Sequence, residues 1–392
     1  MEWSEDQYEA IKSVRNWYDR GEQSCFHLFG FAGTGKSTIA KELVKEVRGP
    51  ILFAAFTGKA ALVMTRKGTP ASTIHQLIYK LVQPDLDRRN FLIRELKQCA
   101  SENKSKLELE LKELEKPIFR LNEGSPVTSA VLVVIDECSM VGEDMGRDLI
   151  SFGVPILVLG DPMQLPPIQG QGFFTDVPAD AMLTEVHRQA KDNPIIHLAT
   201  EVRELRQLEL GTYGSSRVEL SRKLKKRDLI EHDIVLVGKN VTRRTINKII
   251  RQMKAFSGTY PVVGDILVCL KNQYSERLFN GLLCEVLECK EMALYLHLKI
   301  KTEDGEEVTV RASKLPFEEY EGRPPSIMDS IRNRGLSQFD YGYCLTVHKS
   351  QGSQWDSVLV IDDGMRAKDP EMKARWLYTA CTRAAERVTI GV

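Results

Sequence analysis

The chain has 392 residues, of which 42% are hydrophobic and 28% are charged, and these proportions exclude an intrinsically disordered or collagen-like chain. At about 100–200 residues per domain, this length predicts two or three domains. The formal net charge is zero, so global charge gives no argument for a polyanionic partner, which only a local basic stripe would indicate.

Residues 1–6 are acidic and polar, which excludes a secretory signal and predicts a cytosolic protein. Every apolar run is shorter than the roughly 18 residues that a membrane-spanning helix needs, so we expect no membrane partner. None of the eight cysteines forms a CxxC pair. We therefore expect buried thiols in a reducing compartment rather than zinc ligands or disulfides.

Short, nearly continuous apolar runs along the chain predict buried parallel strands. A helix is predicted over 36–47, where Ile39, Leu43 and Val47 lie on one stripe. The alternation of such segments predicts an α/β fold of open sheets with helices on both faces. The predicted strands are 25–29, 51–55, 131–135, 156–159, 234–237 and 358–361.

Two stretches depart from this alternation. Residues 83–124 are rich in charge and predict a helical hairpin, with leucines and Cys99 at helical spacing. Residues 256–320 contain alternating runs joined by Asn280-Gly281 and Asp304-Gly305 turns, which are typical of β-hairpins. We expect a small antiparallel barrel here, inserted into the second α/β domain.

Residues 30–37 match the pattern G-x-x-x-x-G-K-[ST] between a predicted strand and a predicted helix. Glycines let backbone N–H groups turn toward phosphate oxygens, and the helix N-terminus favours negative charge. Lys36 is suited to the β- and γ-phosphates of ATP, and the Ser37 hydroxyl to Mg²⁺. The candidate nucleotide ligands are Gly30, Ala32, Gly33, Thr34, Gly35, Lys36, Ser37 and Thr38.

Asp136 and Glu137 follow the predicted strand 131–135. A carboxylate at this position orients Mg²⁺ or its water shell, so Asp136 joins Ser37 as a candidate metal ligand. The next carboxylate, Glu137, can polarise the water that attacks the γ-phosphate. Two adjacent acids favour hydrolysis over transfer to a substrate hydroxyl.

Further segments follow in a recognisable order: Thr57-Gly58-Lys59-Ala60, Thr73-Ile74-His75-Gln76, residues 159–167 (LGDPMQLPP), 183–189 (LTEVHRQ), 345–355 (LTVHKSQGSQW) and 378–384 (YTACTRA). With them, the chain resembles superfamily 1 DNA helicases of the 5′→3′ branch, RecD-like and Dda-like. The resemblance covers most of the chain, excepting roughly 83–124.

The resemblance implies two RecA-like domains, at 1–180 and at 181–255 plus 321–392, with an SH3-like β-barrel at 256–320. It implies a helicase that translocates on single-stranded DNA, 5′→3′, and unwinds duplexes as ATP closes the two domains. The charged insertion 83–124 then stands where relatives carry a strand-separating pin. A wedge and a solvated hairpin for stability or partner docking are both open.

The resemblance also assigns roles around the nucleotide. Gln7 would read the adenine, and Gln354 would lie near the ribose. Gln164 would sense the γ-phosphate, while Arg188 and Arg383 would reach it from the second domain and neutralise charge developing in the transition state. With Lys36, Asp136 and Glu137, these complete the predicted catalytic set.

Hydroxyls, amides and histidines on loops suit contacts with phosphates and bases. Phe56 has two interpretations, since it could stack on a base or pack against the sheet. The run 222–227 is the most basic segment, and it could lie near DNA or be a solvated face. The candidate DNA ligands implied by the resemblance are Phe56, Thr57, Gly58, Lys59, Thr73, His75, Gln76, Thr346, His348 and Ser350.

The expected partners are single-stranded DNA, duplex junctions, and replication or recombination proteins, with the protein acting as a monomer in a bacterial or phage-infected cell. The chain begins almost at the glutamine motif, so we expect the additional N-terminal domain of some relatives to be missing. The alternatives are an RNA- or DNA-remodelling ATPase of the same superfamily, a P-loop enzyme without unwinding activity such as a small-molecule kinase, and a non-catalytic DNA-binding scaffold.

Overall fold

The computed structural model describes residues 3–21, 24–45, 47–82, 85–98, 101–114, 118–167, 170–185, 193–321, 333, 335–364 and 369–392. The strands in this part of the chain are β1 Cys25–Gly30, β2 Ile51–Ala55, β3 Ala71–Thr73, β4 Tyr79–Val82, β5 Ile118–Leu121, β6 Leu132–Asp136, β7 Ile156–Gly160, β8 Ala181–Leu183, β9 Gly211–Tyr213, β10 Ser216–Glu219, β11 Ile234–Val237, β12 Ile266–Cys269, β13 Leu283–Glu291, β14 Leu296–Thr302, β15 Glu307–Ala312, β16 Phe339–Tyr341, β17 Cys344–Thr346, β18 Trp355–Ile361 and β19 Ala384–Gly391.

The α-helices in the same ranges are α1 Glu5–Arg20, α2 Lys36–Leu43, α3 Gly58–Arg66, α4 Ile74–Ile78, α5 Leu86–Gln98, α6 Ser101–Leu114, α7 Glu143–Ile150, α8 Pro194–Arg203, α9 Asp228–Glu231, α10 Asn240–Met253, α11 Leu315–Glu318, α12 Val347–Ser350 and α13 Pro370–Cys381.

The first sheet has six parallel strands in the order β3-β2-β6-β7-β1-β8. Helices α1 and α2 cover one face through Ile11, Trp17 and Ile39, and α4 and α7 cover the other. Because both faces are covered, its central strands are almost continuously apolar, which is why they could be located from the sequence. Because all six strands are parallel, the carboxyl ends of β1 and β6 lie at the same edge of the sheet.

The second sheet has the order β17-β11-β18-β19-β10-β9, and its pairs are parallel except for β9 with β10. Helices α8 and α13 pack on one face in a core that includes Leu198 and Trp376. Helix α10 packs on the other face through Ile246 and Ile250. The α/β fold predicted from the sequence is thus present twice.

Five antiparallel strands form a third sheet, here called the inserted sheet, in the order β15-β14-β13-β12-β16. It lies in the chain between β11 and β17 of the second sheet. Its hairpins occur in the region predicted from the turns, but β16 lies beyond residue 320. That strand belongs to the inserted sheet because Leu267 pairs with Tyr341 and Cys269 with Phe339.

The charged excursion contains α5 and α6, as its spacing predicted. These helices stand on a two-stranded antiparallel ribbon of β4 and β5, which the sequence analysis did not predict. Leu92, Leu96 and Leu111 form a small core between the two helices, separate from the cores of the sheets. Cys99, the remaining position of the predicted stripe, lies outside the described residues.

In the described ranges, no helix is both long and apolar enough to cross a membrane. The seven cysteines within these ranges are unpaired, and five of them are buried. The burial of these five thiols agrees with the sequence-based expectation for them.

Candidate functional site

A loop of residues 31–35 joins β1 to α2. Gly33 and Gly35 adopt φ values of 79° and 85°, in the left-handed region that favours glycine. A Cβ atom at Gly30 would lie 2.6 Å from the Thr34 hydroxyl oxygen, so this position also requires glycine. Lys36 Nζ donates to the carbonyl oxygens of Gly30 at 2.5 Å and Phe31 at 3.0 Å. The predicted phosphate-binding residues thus form one loop at the N-terminus of α2.

The two acids lie at the carboxyl end of β6, beside this loop. Ser37 Oγ donates to Asp136 Oδ2 at 3.0 Å, and Asp136 Oδ1 accepts from the Glu137 backbone N–H at 2.8 Å. Burial, followed by the charge of Glu137, raises the pKa of Asp136, while Lys36 and Ser37 oppose that rise. Glu137 has a φ of 54°, which costs a non-glycine residue about 1–2 kcal/mol and marks a constrained position.

The pair of Ser37 and Asp136 fits Mg²⁺, which prefers hydroxyl, carboxylate and phosphate oxygens. The described residues contain no group of three or more His, Cys, Asp or Glu side chains that could hold a metal ion. A protein site with two oxygen donors leaves the other positions of Mg²⁺ to phosphates and water, as is usual at nucleotide sites.

Gln7 lies against the phosphate-binding loop. Its side-chain Nε2 donates to Thr34 O at 2.9 Å, and its Oε1 accepts from the Ser4 backbone N–H in a capping box that begins α1. The residue is 1% exposed, so it is part of the wall behind the loop. Asp6, which the sequence analysis missed, accepts from the Thr184 N–H and hydroxyl, and these bonds lower the pKa of Asp6.

A cleft of about 730 Å³ runs past the loop and is lined from both sheets. In this cleft, here called the shared cleft, Arg383 lies 6% exposed and donates to Thr379 O at 3.1 Å and Ser353 O at 3.2 Å. Gln164 is 7% exposed, and its Oε1 has no hydrogen-bond partner. The predicted residues that line the shared cleft are Ala32, Gly33, Gly35, Lys36, Ser37, Thr38, Lys59, Asp136, Glu137, Gln164, Gln354 and Arg383.

Side chains of α13 and of the loop after α12 cross to the first sheet's loops. Tyr378 Oη accepts from the Ala32 N–H at 2.9 Å and donates to Asp161 Oδ2 at 2.7 Å. Thr379 Oγ1 accepts from the Leu165 N–H at 2.9 Å, and Gln351 Nε2 donates to Leu165 O at 2.9 Å. Tyr378, Thr379, Asp161 and Gln351 lie in segments that carry the resemblance, but no role was predicted for them from the sequence.

Two of the candidate DNA ligands cap helices. The Thr57 hydroxyl accepts from Ala60 N at the start of α3, and the Thr73 hydroxyl from Gln76 N at the start of α4. Phe56 packs partly against the core of the first sheet, which favours the packing interpretation.

The inserted sheet covers two further candidates on α3. Lys59 is 5% exposed, with Nζ 2.9 Å from Glu303 Oε1 and 5.1 Å from the ring centre of Trp355. Burial lowers the pKa of Lys59, and the charge of Glu303 opposes that shift. A Cβ atom on Gly58 would lie 2.7 Å from Phe279. Neither residue is open to a DNA strand in this conformation.

The remaining candidates differ in exposure. His75 and Gln76 are exposed, and the His75 ring contacts Tyr79 and Phe119 on the ribbon, with centroids 5.0 and 5.1 Å away. Burial lowers the pKa of His348. Thr346 is 7% exposed, while Ser350 is fully buried and donates to Val347 O at 2.8 Å. Arg188, the other predicted arginine finger, lies outside the described residues.

The fold and the shared cleft define a P-loop protein in which residues from two α/β sheets line one cleft. The chain belongs to the AAA domain family, whose model matches residues 2–217. A UvrD-like helicase C-terminal domain matches residues 341–390. The predicted resemblance to superfamily 1 helicases of the RecD type is confirmed.

Comparison with individual proteins supports the same placement. The ATP-dependent RecD2 DNA helicase of Deinococcus radiodurans is 27% identical over 402 residues, which cover 92% of this chain and 46% of that protein. The chain spans less than half of the length of the curated relatives that it matches.

Two solved structures share the fold. The Pif1 helicase from Bacteroides in complex with ADP-AlF3 and ssDNA has a TM-score of 0.53 at 17% identity, covering 99% of this chain and 92% of that chain. The Pif1 helicase from Candida albicans has a TM-score of 0.53 at 18% identity, covering 100% and 94%. They confirm the prediction of two RecA-like domains.

Proposed function

We propose that this protein is an ATP-dependent DNA helicase that translocates 5′→3′ on single-stranded DNA and unwinds duplexes by closing its two RecA-like domains. One observation carries the proposal: residues of both sheets line the shared cleft, with Lys36, Asp136 and Glu137 on one side and Arg383 on the other. A site divided in this way makes hydrolysis depend on how the two sides meet.

ATP binding follows from the loop of the first sheet. Backbone N–H groups and Lys36 would receive the phosphates, and Ser37 with Asp136 would hold Mg²⁺, which supplies charge neutralisation at the β- and γ-oxygens. Gln7 braces the loop through Thr34 O. By the resemblance it would also read the adenine, for which its buried side chain would have to become accessible.

Hydrolysis then uses groups at the γ-phosphate end. Glu137 would accept a proton from the attacking water, and Gln164 would hydrogen-bond the γ-phosphate. Arg383, and Arg188 by the resemblance, would neutralise charge that develops during transfer. Because Arg383 is carried by the second sheet, loss of the γ-phosphate would loosen the two sides, and repeated closure would become movement.

The proposed DNA track runs over the N-terminal ends of α3, α4 and α12. His75 and Gln76 are exposed in α4 and would contact bases or phosphates. Most contacts along the track would be with phosphates of the DNA backbone, so binding should be independent of base sequence and weaken as salt rises. Single-stranded DNA is the partner named in the Bacteroides Pif1 complex. Protein partners of this chain stay predictions.

The inserted sheet would be the SH3-like barrel, and it would act as a clamp across the track. It rests on α3 through Glu303 with Lys59, Asp304 with Arg66, and Phe279 against Gly58. A DNA strand that approached α3 would have to displace these contacts.

The test is unwinding of paired substrates that differ only in carrying a 5′ or a 3′ single-stranded tail. We expect ATP-dependent unwinding of the 5′-tailed duplex alone, and none by Lys36→Ala, which should still bind single strands. Unwinding from the 3′ tail would overturn the polarity, and ATP hydrolysis without strand separation of either substrate would overturn the helicase assignment. A matched RNA-tailed duplex tests the alternative nucleic acid.

A further inference from the structure

Tyr378 of α13 connects two separate loops of the first sheet. Its Oη accepts from the Ala32 N–H of the phosphate-binding loop at 2.9 Å and donates to Asp161 Oδ2 at 2.7 Å. Tyr378 and Asp161 are each 2% exposed, so water does not substitute for either bond. Both partners of the hydroxyl lie on loops that follow strands of the first sheet, whereas Tyr378 lies on a helix that packs on the second sheet.

Asp161 in turn shapes the loop that carries Gln164. Its Oδ1 accepts from the Met163 N–H at 3.0 Å, and its main-chain oxygen accepts from the Gln164 N–H at 3.1 Å. On the far side of Gln164, the Leu165 N–H donates to Thr379 Oγ1 at 2.9 Å. Gln164 is therefore held from both sides by groups that meet at one turn of α13.

The same turn fixes Arg383. Arg383 Nε donates at 3.1 Å to the main-chain oxygen of Thr379, which is the residue after Tyr378 in α13. A shift of α13 away from Asp161 would therefore withdraw Arg383 and release Gln164 together. Burial and the neighbouring Asp161 raise the pKa of Tyr378 well above its usual value, so its hydroxyl keeps its proton as a donor.

We propose that Tyr378 and Asp161 form a positioning pair that docks α13 onto the phosphate-binding loop and so seats Arg383 and Gln164 in the shared cleft. Neither Tyr378 nor Asp161 lines the shared cleft, so the pair acts through the two residues it places. This inference rests on the proposed function only in that the cleft hydrolyses ATP, since it requires neither nucleic acid nor unwinding.

The test compares Tyr378→Phe, Asp161→Asn and the double variant in steady-state ATP hydrolysis without nucleic acid. Each single change leaves a buried group without its partner, so we expect kcat to fall about 10-fold or more. The KM for ATP should change little, because Lys36, Ser37 and Asp136 are untouched. The double variant should lose about as much as the worse single variant, since both break one link.

A matched control is Tyr341→Phe, which removes another buried hydroxyl, one that donates to Thr259 O at 2.9 Å in the inserted sheet. It should keep the wild-type kcat. Wild-type turnover in Tyr378→Phe would overturn the proposal, as would a double variant whose loss equals the product of the single losses.

Hydrogen–deuterium exchange gives a second readout that needs no turnover. Exchange in the segments 30–36 and 161–166 should accelerate in Tyr378→Phe and stay unchanged in Tyr341→Phe, and equal protection in all three proteins would overturn the docking role. Failure of the proposed function looks different, because it would leave these effects intact while DNA fails to stimulate the wild-type enzyme.

Discussion

Glu137 is held in an uncommon backbone conformation at the edge of the shared cleft. Glu137 directly follows β6 and has a φ of 54°, and its side chain lines the cleft together with Lys36 and Asp136. Strain of this kind is common at functional sites, where the surrounding structure maintains it. It is consistent with a side chain aimed at one place, as general-base catalysis requires.

Glu137→Gln should bind ATP yet hydrolyse it about 10²–10⁴-fold more slowly, because the amide keeps the shape of the side chain but cannot accept a proton. Steady-state turnover and fluorescent-nucleotide binding measure the two effects. Glu143→Gln, an exposed change at the start of α7, should leave both unchanged. A wild-type rate in Glu137→Gln would refute the general-base role.

The loop of residues 30–37 could be located from the sequence because the phosphate-binding pattern fixes both residue types and spacing. The cross-cleft residues Tyr378 and Asp161 could not be predicted, since their roles depend on a contact across 217 positions of the chain. Nor could spacing reveal that Ser350 donates inside the fold to Val347 O. Motifs therefore specify the chemistry, while tertiary contacts decide which side chains remain free for a ligand.

Helix α10 attaches the inserted sheet to the second sheet through buried charge. Asp265 is fully buried and accepts from Arg251 Nη2 at 3.0 Å, from the Tyr343 hydroxyl at 2.8 Å and from the Val262 N–H at 2.9 Å. Asp340 similarly pairs with Arg243. The inserted sheet should thus move with the second sheet as one body.

Asp265→Ala should lower the free energy of unfolding by about 3–5 kcal/mol, because it leaves the Arg251 guanidinium buried without its partner. Urea denaturation measures this loss. Glu306→Ala breaks an exposed pair with Arg277 and should cost less than about 1 kcal/mol. Equal losses in the two variants would contradict the attachment through buried charge.

The excursion α5–α6 has a core of its own, so replacing residues 86–114 with a short Gly-Ser turn should leave the two α/β sheets folded. If the excursion is the strand-separating wedge, this variant should keep its DNA-stimulated ATP hydrolysis and lose unwinding. Unchanged unwinding would leave the docking interpretation. The two activities measured on one preparation, with the thermal melting temperature as a control, separate these outcomes.

Elements with strong local patterns were predictable, and elements that depend on distant partners were not. The runs of β2 and β11 gave their bounds directly, because buried parallel strands are apolar throughout. Ribbon β4–β5 and strand β16 are short and pair across long stretches of chain, so no local periodicity marks them. Their places were set by tertiary packing.

Across the two α/β sheets, the proposed activity depends on one coupling, between closure of the shared cleft and DNA binding. The shared cleft is complete only when Arg383 of the second sheet meets the loop of the first, and a single strand bound across both would favour that closed arrangement. Single-stranded DNA should therefore increase the rate of ATP hydrolysis rather than merely bind the protein.

The most direct measurement is steady-state ATP hydrolysis by the wild-type protein with and without a saturating single-stranded DNA oligomer. We expect a marked stimulation that declines as salt weakens DNA binding and is absent in Lys36→Ala and Arg383→Ala. A hydrolysis rate that is the same with and without DNA, under conditions where binding of the oligomer is independently demonstrated, would contradict the coupling.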